Sequence, residues 1–302
     1  MAGQADSLKS ILFALVANSS IAVAKGIAAM VTGSGAMLAE AIHSVADAGN
    51  QLLLILGLRQ TRKVPTDDHP LGFGKSIYFW SFLVAVILFS IGGMFSVYEG
   101  VHKLLHPTPL TYPWVAIGVL VFAIVAESIS LWGCMREVNK ERYGRSIFQW
   151  FRHSRSSALI VVFGEDIAAL LGLVFALFAI GATLVTGDPF WDAVGTISIG
   201  ALLITVAVFV AVEVKDLLIG QSVEPTAREE MEAFLRARPE IRELFSLLTM
   251  QFGPDAMVAV KARMVATGSE RQMIAAINAI ERDFRARFQG VAWLFFEPDV
   301  AD

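Results

Sequence analysis

"AEAIHSVADAGN", residues 39–50, decides how the chain is read. It lies between "VTGSGAML" (31–38) and "QLLLILGL" (51–58), so an acid, a histidine and a second acid, Glu40, His43 and Asp47, interrupt an otherwise apolar run. If that run crosses a bilayer, each group is expensive there: an aspartate at mid-membrane costs about 2.5 to 3.5 kcal/mol on insertion scales. Ionisable side chains inside spans mark ion paths or binding sites by default. On a helix, positions i, i+3 and i+7 share a face. His43 and Asp47 form an i, i+4 pair able to point at one ion. Glu40 can sit shallower and do no more than orient His43. The bland alternative is a hydrogen-bonded polar seam between helices.

Composition supports the bilayer. The 302 residues are 55% hydrophobic and 17% charged, with mean hydropathy +0.61, whereas soluble domains carry about 25% charged residues. A net charge of -4 gives no bulk electrostatic case for nucleic acid. Cys134 is the single cysteine, so no intramolecular disulfide can form. "MAGQADSLKS" lacks a basic start, and the apolar segment after it reads as a span rather than a cleavable signal.

Working outward, the pattern predicts an α-helical membrane protein with six spans, at roughly 8–32, 35–58, 77–104, 112–135, 156–186 and 191–214, each near or above the ~20 residues that cross the hydrocarbon as helix. Gly33, the pair Pro107 and Pro109, and "TGDPF" (186–190) separate them. Arg59, Arg62, Lys63 and Lys75 follow span two, and Arg136, Lys140, Arg142, Arg145, Arg152 and Arg155 follow span four. The turn after span three holds only Lys103. The positive-inside rule puts both basic loops, and with six spans both termini, in the cytoplasm. A plasma (inner) membrane is the expected location.

The chain divides into a transmembrane domain, 1–214, and a polar domain, 215–302. "REEMEAFLRARPEIREL" (228–244) has the acids and apolar stripe of an amphipathic helix. "MVAVKARMV" (257–265) alternates as a strand, "SERQMIAAINAIERDFRARF" (269–288) opens on a Ser cap, and "VAWLFFEP" (291–298) closes as a strand. Helix, strand, strand, helix, strand makes a small α+β domain.

A second acidic place lies in span five, where Glu165 and Asp166 are adjacent. Consecutive helical residues diverge by about 100°, so one of them meets His43 and Asp47 across a helix interface. Glu127 and Asn18 are further polar interruptions, read as packing or pathway groups. Lys25 is expected to snorkel toward the membrane edge.

"GSGAMLAEAIHSVADAGNQ" (33–51) together with "DDHPLGFGKS" (67–76) and "DPFWDAVGTISIG" (188–200) resembles the cation diffusion facilitator family. The resemblance covers nearly the whole chain. It implies a six-span metal exporter with a cytoplasmic ferredoxin-like domain, working as a homodimer in membrane lipid. It also implies exchange of metal for protons, His43 and Asp47 as transport-site ligands, and Asp166 as the span-five aspartate. Three departures stand out. Val162 occupies the position of the usual span-five His or Asp, one turn before Asp166. Phe73 stands where many relatives carry a second loop histidine, which leaves His69 an ordinary loop residue. The terminal domain has neither His nor Cys, so a zinc cluster there would have to use carboxylates such as Asp255, Glu297 and Asp299.

One imidazole with carboxylates suits Zn²⁺, and Mn²⁺, Fe²⁺ or Co²⁺ also fit a set weighted toward oxygen. Metal binds the deprotonated ligands, and imidazole titrates near pH 6.5 in water, so proton and metal can exchange in the physiological range. The ion is cargo, and no resident cofactor is implied. Which of Glu165, Asp166 or Glu40 completes the site stays open, with Asp166 ranked first and Glu165 next. A non-transporting metal sensor or scaffold is the alternative class. An intramembrane metalloenzyme is disfavoured because there is no H-E-x-x-H.

Overall fold

The computed structural model describes residues 2–142 and 144–301, with side chains at Leu15 and from Asn18 onward. The membrane part is built from α1 (Ala2–Thr32), α2 (Gly35–Thr61), α3 (Ser76–Ile87), α4 (Phe95–Leu105), α5 (Pro113–Glu141), α6 (Ile147–His153), α7 (Ser157–Thr186) and α8 (Phe190–Ile219). Among the described residues, five units are long and apolar enough to cross a membrane: α2, the continuous α3–α4 unit, α5, α7 and α8. α1 packs along α2 and α5. The outward surface is apolar, with Trp114, Phe122, Ile129, Trp132 and Phe178 exposed; in lipid such a surface costs nothing.

Span three, expected over 77–104, is one continuous helical unit, Ser76–Leu105, and a π-helical turn at Leu88–Met94 within it joins α3 to α4. It coincides with close packing against α8. A Cβ on Gly93 would lie 2.5 Å from the Ile204 side chain and 3.3 Å from the Gly200 carbonyl, and one on Gly200 would lie 2.7 Å from the Val97 nitrogen. The two backbones touch where neither carries a side chain, as membrane helices do when small residues face each other.

The turns at Gly33, Pro109 and Gly187 lie at one end of the bundle, called the far face below; the terminal domain lies at the other. At the far face α2 is capped by an acid from α8. Asp192 accepts from Ser34 Oγ at 2.5 Å and from the backbone nitrogens of Gly35 and Ala36 at 2.8 and 3.3 Å. Ser34 Oγ in turn accepts from Met37 N at 3.2 Å. Lys103 at the end of α4 donates to Asp192 at 3.0 Å and to the Gly33 carbonyl. A carboxylate on the unsatisfied amides of a helix start is favoured by hydrogen bonding and by the helix dipole. Sequence reading gave Asp192 no role.

The terminal domain follows the expected element order: α9 (Pro225–Arg236), β1 (Ile241–Phe252), β2 (Asp255–Met264), α10 (Glu270–Arg287) and β3 (Val291–Pro298). β1 pairs antiparallel with β2, and β3 pairs parallel on the other side of β2. Ala256, Val258, Val260 and Ala262 alternate into a core with Ile280 and Phe284 of α10. The Ser269 cap is present and accepts from Gln272 N. One boundary differs. The helical pattern read through 244 stops at Arg236, because Pro239 cannot continue a helix and residues from Ile241 pair with β2. α6 had no counterpart in the sequence reading. Its capping box, Ser146 with Gln149, is explicit in the residues.

The His69–Lys75 loop docks the terminal domain. Gly253 N donates to Tyr78 Oη at 2.9 Å, and Lys75 lies 5.4 Å from the centre of the Phe252 ring. Gly74 abuts the Phe252 carbonyl so closely that a Cβ there would strike it. From the α5–α7 linker, Arg145 pairs with Glu224 and Arg155 Nε donates to the Ser222 carbonyl at 2.6 Å. Burial lowers the Arg155 guanidinium from its ordinary value, and Glu224 opposes the shift. His69 is exposed and stacks on Phe73, with ring centres 4.5 Å apart.

Candidate metal-transport site

α2 presents Glu40, His43, Asp47 and Asn50 toward the bundle interior, and all four are buried. The spacing 40, 43, 47, 50 is one helical face. His43 is fully buried, and neither ring nitrogen has a hydrogen-bond partner. Its Nδ1 stands 3.5 Å from Asp47 Oδ1, close enough for attraction but not aligned as a hydrogen bond. Asp47 Oδ1 is likewise buried without a partner. Unpartnered buried polar atoms are rare because each loses its hydration uncompensated. An imidazole and a carboxylate oxygen left in that condition side by side are suited to a cation.

A cavity of about 620 Å³ begins at Asp47, and His43 does not line it. Asn18, Asp47, Glu127, Ser130, Glu165 and Asp166 line its inner part, and it extends past Cys134 and Glu137 to Glu141 and Ser156 at the terminal-domain end. It therefore brings together α1, α2, α5 and α7. Glu165 and Asp166 both reach it, which the 100° offset had made doubtful. Asn50 donates to Glu165 Oε1 at 2.5 Å, and Ser130 donates to Asp166 at 3.3 Å. Val162 lines the same cavity one turn from Asp166, so the missing donor position faces the acids. Glu127 is buried in the wall rather than merely packed between helices.

Two expectations change. Lys25 does not snorkel. It is fully buried, and its Nζ donates to Glu40 at 3.1 Å and to Ser44 at 2.8 Å. Glu40 is thus turned toward α1, and it does not line the cavity. The sequence reading also missed Asn50 and Ser130. Asn50 was available from arithmetic, seven residues after His43 on the same face. Ser130 follows Glu127 by three and carried the same signal.

Among the described residues, no three His, Cys, Asp or Glu side chains are gathered closely enough to hold an ion outright. The candidates are split between α2 and α7, with Glu127 on α5.

Residues 11–219 match the family model of the cation efflux transmembrane domain. The chain is 35% identical over 224 residues to the mitochondrial proton-coupled zinc antiporter of Xenopus laevis, covering 74% of this chain and 40% of that protein. It is 32% identical over 247 residues to the Homo sapiens protein of the same description, covering 81% of this chain and 44% of that one. It is 24% identical over 259 residues to the cation-efflux pump FieF of Escherichia fergusonii, covering 86% of this chain and 81% of the pump. The chain spans less than half the length of the two zinc antiporters.

Proposed function

The chain belongs to the cation efflux family, the cation diffusion facilitators, whose members are transporters and not enzymes, and on that premise we propose that it moves a divalent cation, Zn²⁺ first, out of the cytoplasm in exchange for protons. The observation that carries this reading is the buried His43–Asp47 pair, its donor atoms unpartnered, with Asp47 at the inner end of a cavity lined by acids. His43, Asp47 and Asp166 hold the ion, with Glu165 next in line. The cavity gives the route from the terminal-domain side, and Glu141, Glu137 and Glu127 along it favour a cation at each stage. A divalent ion draws α2 and α7 together, and that closure is the step from loading to release. When the ion leaves, protons take its place on the imidazole and carboxylates.

Zinc is supported by the imidazole and by the likeness to the two proton-coupled zinc antiporters. A second reading, Mn²⁺, Fe²⁺ or Co²⁺, is favoured by Val162, which leaves the site one nitrogen donor and several oxygens. We further propose six spans, counting α1, with both termini on the cytoplasmic side, and a ferredoxin-like terminal domain pairing two copies. The basic loops support the orientation, and the αββαβ order supports the fold. Metal flux into proteoliposomes, compared over Zn, Mn, Fe, Co, Ni and Cd with intravesicular pH followed in parallel, tests this. The proposal predicts zinc flux with opposing proton movement. No flux for any ion would leave the sensor or scaffold alternative.

A further inference from the structure

On the far-face side of His43 lies a charged cluster that the cavity does not reach. Lys25 of α1 and Glu40 of α2 are both fully buried and stand 3.1 Å apart. The ammonium also donates to Ser44 at 2.8 Å. The other carboxylate oxygen, Glu40 Oε1, is buried with no hydrogen-bond partner and lies against Gly172 of α7, where a Cβ would collide with it. Lys25, Glu40 and Ser44 are absent from the cavity lining, whose α2 wall starts at Asp47. Beyond them, the Asp192–Lys103 clamp closes the start of α2. Seen along the bundle, an open path leads from the terminal-domain end to Asp47, and the Lys25–Glu40 pair sits across the continuation.

A brace explains this pair poorly. A buried ion pair recovers little beyond its desolvation, and apolar residues of similar volume pack as well or better. Glu40 also keeps one oxygen unsatisfied, which a brace does not need. A switch does need groups that can exchange partners.

We propose that Lys25 and Glu40 form the gate between the ion site and the far face, with the Lys25 ammonium acting as a tethered cation that holds Glu40 until a transported cation arrives. The inference rests on the transport reading. A divalent ion on His43 and Asp47 sits about one helical turn from Glu40. Its charge repels the ammonium and attracts the carboxylate, so loading the site weakens the pair that shuts it. Glu40 is then a gate residue rather than a ligand of the resting site, and Lys25 acts through it.

The test uses the full chain in proteoliposomes, with Cys134→Ser removing the native thiol and Ser44→Cys placing one just behind the pair. Vesicles whose terminal domain is protected from added protease expose the far face. In metal-free buffer, a small membrane-impermeant thiosulfonate should modify position 44 slowly when Lys25 and Glu40 are intact. It should do so at least about ten-fold faster with Lys25→Met/Glu40→Gln. That double change leaves no unpaired charge, so it preserves folding better than either single one. The swapped pair, Lys25→Glu/Glu40→Lys, should restore slow modification. Zinc affinity of the double variant should stay within about three-fold of its parent. Equal modification rates in parent and double variant would reduce the pair to a brace. Loss of zinc binding in the double variant would make Glu40 a ligand. Either overturns the proposal. The thiol readout needs no flux, so an inactive wild-type chain would sink the transport reading without deciding the gate.

Discussion

Replacing Asp192 with alanine should destabilise the membrane domain by about 2 kcal/mol. The figure follows from what the carboxylate holds. It caps the Gly35 and Ala36 amides and accepts from Ser34 Oγ while 3% exposed, and losing such a cap costs about 0.5 to 2 kcal/mol. It is also the ionic partner of Lys103 at 3.0 Å, and stripping a buried charge of its partner adds roughly 1 to 3 kcal/mol. The lower part of that range applies, because the Lys103 ammonium keeps the Gly33 carbonyl. Asp192→Asn retains one acceptor oxygen and should cost about 1 kcal/mol. Equilibrium unfolding in mixed micelles titrated with dodecyl sulfate gives the differences, and Lys103→Met with the double variant completes a cycle whose coupling should be near 1 kcal/mol. If Asp192→Ala costs less than about 0.5 kcal/mol, the cap does not anchor α2 and the energetic reasoning fails.

Asp166→Ala should stop transport and Glu165→Ala should weaken it; normal flux in the first with none in the second would shift the span-five ligand by one residue. Val162→His faces an added imidazole into the cavity and should raise the Zn²⁺ over Mn²⁺ preference in a competition flux assay, whereas an unchanged ratio would mean that position 162 does not reach the ion. Gly74→Ala puts a methyl into the Phe252 carbonyl. Elastase, which cleaves after small aliphatic residues such as Val223, should then cut the 220–224 connection faster, and wild-type cleavage would show that the loop can yield.

The candidate site could be proposed from the sequence because its residues are out of place. A histidine and acids in apolar runs stand out against a bilayer whatever the fold, and helical arithmetic put Glu40, His43 and Asp47 on one face; Asn50, on that same face, went unread. Strands β2 and β3 were legible for a related reason: Val258, Val260 and Ala262 alternate, and alternation has one physical meaning; β1, whose start was read as helix, was not. Partnership was not legible. Lys25 reads as a membrane-edge residue until Glu40 is known to lie beside it, and Asp192 reads as one more acid at a helix start until the α2 amides are found above it. The π turn at Leu88–Met94 was hidden too, because its cause is the α8 backbone at Gly200. Contacts between segments far apart in sequence are set by packing that no window of residues contains.

The central claim is that the buried pair on α2 carries the ion. His43→Ala and Asp47→Ala, each purified, checked for folding by size exclusion and reconstituted, should move zinc no faster than empty vesicles while the wild-type chain fills them. Wild-type flux through either variant would contradict the account.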